Sequence, residues 1–145
     1  MTQGSEIHIK ALPRIGDQAA AERGLARWAR LEADPPDLSE GLRHALAAIF
    51  GNSPYLGDSL LAEPDVLHML LADGPDRAVD ALIDETRAIA PGSRQRFMAA
   101  LRRQKRRVAL AVALADIFDL WPLEPVTLAL SRFADLAIRQ ALNQT

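Results

Sequence analysis

The sequence contains no cysteine. Disulfide scaffolds, thiol catalysis, iron–sulfur clusters and zinc knuckles are therefore excluded. Aromatic residues make up only 5% of the chain, with one tyrosine. Strand formers are scarce too, Val, Ile and Thr together numbering 17 of 145 residues. Neither sign of charge dominates: 17 Lys and Arg stand against 19 Asp and Glu, a net charge of −2. Such a balance argues against a surface built throughout for nucleic acid or an anionic membrane. Long apolar runs are missing as well. The longest, Val108 to Ala115, spans eight residues, against about 18 for a membrane span. Glu6 and Lys10 interrupt the N-terminus before any signal-peptide core could form. These absences predict a soluble, cytoplasmic protein with no membrane partner.

What the chain does have is alanine (26) and leucine (22), a third of all residues. Both are strong helix formers, so an all-α fold is expected. At this length about two-thirds of the unfolded surface can be buried in one domain. Residues 1–16 read as a flexible arm preceding a helical domain over 17–145. Asp17 caps a first helix over 18–33 that carries Ala21, Leu25, Trp28 and Leu31, stopped by Pro35-Pro36. Leu38, Leu42, Ala45, Leu46, Ile49 and Phe50 mark a second helix over 38–50, with Gly51 placed for a left-handed C-terminal cap. Short helices over 55–62 and 64–72 follow, the second opened by Pro64. Gly74-Pro75 breaks the chain before a fifth helix over 76–90.

Ser93 is a good N-cap for one helix over 93–120, about 40 Å long at 1.5 Å per residue. From Val108 to Phe118 nearly every position is apolar, so this half should be buried on all sides. Pro125 opens a last helix whose inner face is Val126, Leu130, Phe133, Ala137 and Ala141. The whole is predicted to be a compact bundle of about six to seven helices around the 93–120 helix. The helical pattern runs to the end of the chain, which suggests part of something longer.

Little here carries chemistry. His8, His44 and His68 lie on different segments; Glu40 pairs by spacing with His44, and Asp65 with His68. These read as partly exposed histidines beside carboxylates rather than as metal ligands. No G-x-S-x-G, no G-x-x-x-x-G-K-[ST], no G-x-G-x-x-G and no Asp-x-Asp occurs. The closest candidate for such a pair, Asp116 and Asp119, is a helical i, i+3 pair at the end of the long helix. No catalytic, cofactor-binding or metal-binding residue is assigned. Charge patterning is stronger. Arg94 to Arg107 holds seven basic residues and no acid, while Asp58 to Glu85 holds eight acids against Arg77 alone. The basic run reads as a protein-docking surface at Arg102, Arg103, Arg106 and Arg107, as a solvated or internally paired face, or as a less favoured phosphate or nucleic-acid patch.

Taken in order, Ile49 to Leu56 (IFGNSPYL), Pro64 to Leu67 (PDVL), Leu101 to Arg107 (LRRQKRR) with Asp116, Leu123 to Ser131 (LEPVTLALS) and Ala134-Asp135 form a series. It resembles the amino-terminal helical region of the bifunctional glutamine synthetase adenylyltransferase/adenylyl-removing enzymes over about residues 25–142. The resemblance implies a nitrogen-control enzyme. In that family one nucleotidyltransferase domain attaches AMP from ATP to a tyrosine of glutamine synthetase, and a second removes it by phosphorolysis. PII-type signalling proteins and glutamine set the balance. Mg2+ and ATP are implied for the full-length enzyme, held by a Gly-Ser or Gly-Gly loop and an Asp-x-Asp pair that follow the helical region. Neither element is present here, so the segment itself is expected to bind no cofactor and to be an accessory scaffold against an adjoining nucleotidyltransferase domain. The alternatives are a free-standing helical interaction module or, less favoured, a nucleic-acid-binding helical domain.

Overall fold

The structure is a computed structural model that describes residues 14–31, 40–118 and 123–143. Among them the chain forms seven α-helices and no strand: α1 (Gln18–Leu31), α2 (Glu40–Asn52), α3 (Pro54–Ala62), α4 (Pro64–Asp73), α5 (Pro75–Arg87), α6 (Arg94–Ile117) and α7 (Leu123–Asn143). Proline stands at the first turn of α3, α4 and α5, where its missing N–H would have had no helical partner. Ser93 caps α6 as its sequence position predicts, its Oγ accepting from Arg96 N at 3.2 Å.

The second half of α6 is the centre of the bundle. Val108, Leu110, Ala111, Val112, Leu114, Ala115 and Phe118 are all buried, while Asp116 is exposed and Ile117 only partly covered. Around it pack α3, α4, α5 and α7, contributing Leu60, Val66, Leu67, Leu82, Ile83 and Phe133. Helix α1 lies on α2 and α3. On α7, Phe133 is buried and Ala137 packs against the core, as the spacing predicts. The expected Val126, Leu130 and Ala141 contacts, the Pro35-Pro36 stop, Leu38 and His8 fall outside the described residues or side chains.

One expectation needs correction. Gly51 is not a left-handed cap. It lies within α2, and the left-handed conformation falls at Gly74, with φ 84° between α4 and α5. Gly51 is instead a point of close approach: a Cβ there would stand 2.7 Å from Ile15 Cγ2 and 2.9 Å from Asp17 O. The residues leading into α1 bond to the end of α2. Gly16 N donates to Asn52 Oδ1, Asn52 Nδ2 donates to Arg14 O, each at 2.6 Å, and Asp17 N donates to Gly51 O at 3.1 Å. Residues 1–13 are outside the described part.

Candidate functional site

Glu63 occupies the single residue between α3 and α4, ending one helix and starting the next. Its N–H closes α3 on Ser59 O at 2.9 Å, and Pro64 then fixes the start of α4. A Ser or Asp here would turn its side chain back to cap α4; Glu63 makes no such bond. Its longer side chain reaches across to α6, although Glu63 is only 3% exposed.

Three arginines meet it there. Arg103 Nε and Nη2 donate to the two carboxylate oxygens at 3.0 and 3.2 Å, and Arg107 Nη1 donates at 2.6 Å. Arg106 Nη2 donates more loosely, at 3.5 Å. Arg107 also forks onto Asp65 at 3.0 and 2.7 Å, and lies 3.6 Å from Glu85. Positions 103, 106 and 107 lie within a turn or so of one another on α6, so their side chains can converge on one carboxylate.

The electrostatics follow from this geometry. Burial alone would raise the Glu63 carboxyl, but hydrogen bonds from Arg103 and Arg107 outweigh it and hold the group below its ordinary range. Asp65 is held down chiefly by its bond from Arg107. Arg107, bonded to Asp65 and Glu63, is correspondingly harder to deprotonate than an ordinary arginine. Its Nε has no hydrogen-bond partner among the described residues. These groups are matched and hydrogen-bonded, so they clamp α6 to the α3–α4 junction and to α5. They cannot readily serve as acid, base or metal ligand while so engaged.

The four arginines named from the sequence are therefore not one surface. Arg107 is buried at 4% exposure, and its place is in the interior rather than at a docking face. Side chains of Arg103 and Arg106 are 59% and 44% exposed while paired with Glu63; Arg102 points outward. Sequence reasoning left internal pairing open but did not single out Glu63. Its signal was faint: a carboxylate immediately before a helix-starting proline in the acidic stretch. Asp65, which shares a helix face with His68 by spacing, is bonded to Arg107, and the His68 ring stacks on Trp28 at 6.3 Å between centroids. Among the described residues no group of three or more His, Asp or Glu is arranged to hold a metal ion.

The sequence profile of glutamate–ammonia ligase adenylyltransferase matches residues 43–145, well over half of the chain. The chain belongs to this family. It is 37% identical over 144 residues to the bifunctional glutamine synthetase adenylyltransferase/adenylyl-removing enzyme of Rhodopseudomonas palustris (strain HaA2). That match takes in 90% of this chain and 14% of the relative. The same enzyme of Bradyrhizobium diazoefficiens is 37% identical over 140 residues, again 90% of this chain and 14% of the relative. In Xanthobacter autotrophicus the figures are 34%, 94% and 15%. The chain thus spans about a seventh of the length of these glutamine synthetase adenylyltransferases. No solved structure matches it. Among the described residues no helix is long and apolar enough to cross a membrane.

Proposed function

We propose that this chain is a helical accessory segment of an enzyme that adenylylates and de-adenylylates glutamine synthetase in nitrogen regulation. The observation that carries the proposal is the combination of family membership with a span of about a seventh of the relatives. The sequence over that span has no Asp-x-Asp and no phosphate-cradling glycine loop, and nucleotidyl transfer needs both a metal-holding carboxylate set and a phosphate cradle. Glu63, Asp65 and Glu85, which share Arg107, are already engaged by arginine. In this reading the bundle packs against an adjoining nucleotidyltransferase domain, which holds Mg2+ and ATP. Glutamine synthetase and a PII-type signalling protein are partners of the whole cytoplasmic enzyme.

The test is direct. Purified 1–145 incubated with adenylylated or unmodified glutamine synthetase, ATP, phosphate and Mg2+ should neither remove nor attach AMP. A relative's polypeptide lacking the matching segment should lose activity or its regulation, and regain it when the segment is restored. Magnesium-dependent turnover by 1–145 alone would defeat the reading, and so would full, normally regulated activity of the truncated relative.

A further inference from the structure

The clamp on Glu63 uses only one side of the basic half of α6. At 3.6 residues per turn, Arg94, Arg102 and Lys105 fall within about a quarter of the helix circumference. All three are exposed, and they make no ion pair among the described residues. Gln95, also exposed, borders this strip with an uncharged side chain. Its placement runs against a local rule. Arg94 and Arg96 stand in the first turn of α6, which contains no acidic residue, although the positive end of a helix dipole disfavours cations there. Of the strip, Arg94 stands where the helix end disfavours a cation, and such local conflicts are expected at functional sites.

We propose that this edge of α6 is a docking surface for a carboxylate-rich protein segment. Carboxylate is the chemistry that the same helix already binds: Arg103 and Arg107 hold Glu63 and Asp65 through paired N–H donors. Arg94 to Lys105 covers three helical turns, about 16 Å, so the complementary segment is an acidic helix or strand of that length. Nucleic acid fits less well. Phe97, the one aromatic residue of the basic run, is buried at 2% exposure and offers no ring for a base to stack on.

This inference stands apart from the accessory-segment reading, because it concerns a surface the isolated chain already presents. Fluorescence anisotropy of 1–145 with a labelled helical peptide bearing glutamate at every fourth position is the measurement, with duplex DNA of matched charge as competitor. The peptide should bind in a salt-sensitive manner and more tightly than the DNA. The triple variant R94Q/R102Q/K105Q should weaken it about tenfold. The charge-matched variant R23Q/R27Q/R30Q, on the exposed side of α1, should leave it unchanged, and both variants should keep the wild-type helical circular dichroism. Equal weakening by the two triples would reduce the effect to net charge and overturn the proposal. Tighter DNA binding, or no peptide binding at low salt, would overturn it as well.

Discussion

Arg107 and Arg103 are separated by one helical turn and share a carboxylate, yet their energetic roles differ. Arg107 and Glu63 are 4% and 3% exposed, so removing either partner leaves a buried charge with fewer partners. Arg107→Ala should cost about 3 kcal/mol in a denaturant titration, whereas Arg103→Ala, largely in solvent, should cost less than about 1 kcal/mol. Equal losses would contradict the buried placement of Arg107. The same pair sets an acid dependence. Glu63 and Asp65 have folded-state pKa values below their unfolded ones. Their contribution is therefore complete above the unfolded values, 4.5 and 3.8, and is lost as pH falls through the folded ones. Thermal midpoints should stay level from neutral pH to about 5 and fall below about 4. Glu63→Gln should lower the neutral-pH midpoint and flatten the acid limb; an unchanged acid limb in that variant would place the titrating groups elsewhere.

At the scale of the element, close contacts govern where α1 sits. Gly24 faces Phe50 so closely that a Cβ would lie 2.2 Å from its ring, and Gly57 meets the same ring from α3 at 3.1 Å. The aromatic ring is thus seated against two helices that carry no side chain at the contact. Gly24→Ala should overpack this crossing and cost about 1–3 kcal/mol. It gains back less than 1 kcal/mol of helix propensity, roughly the Gly-to-Ala difference. In α6 the contrast runs along the helix. Leu114, with no exposed surface, should cost about 2–5 kcal/mol on replacement by alanine. Surface Arg102→Ala should change stability by less than about 0.5 kcal/mol. Chemical denaturation of the three variants separates these cases, and comparable losses at Leu114 and Arg102 would remove α6 from the centre of the fold.

Across the whole molecule, charge is arranged in two layers. The inner layer is the buried Glu63–Arg107 pair, which joins α6 to the α3–α4 junction, with Asp65 and Glu85 half-exposed at its edge. The outer layer leaves Arg94, Arg102 and Lys105 to solvent. Raising ionic strength should therefore affect the two layers unequally, since screening acts on exposed charges far more than on buried ones. Melting temperature should change little between low and physiological salt, while any association through the α6 edge should weaken over the same range. A melt that shifted in parallel with binding would mean that both layers are solvent-screened.

The helices were legible from the sequence because their causes are local. Proline and glycine mark the breaks, Ser93 and Pro64 mark starts, and the apolar spacing identifies Leu42, Leu46, Ile49 and Phe133 as inward-facing. The family resemblance was legible for a related reason, since it rests on the order of such local patterns. Which arginines face in and which face out was not. Seven basic residues in fourteen positions carry no periodicity that distinguishes Arg107 from Arg102, and a charge is buried only where a partner waits. That partner, Glu63, lies 44 residues away from Arg107, at a helix junction whose position depends on how α3 and α4 pack against α6. Sequence determined the helices and their family; tertiary packing decided which charges became core and which remained surface, because burial of an ion depends on a neighbour distant in the chain.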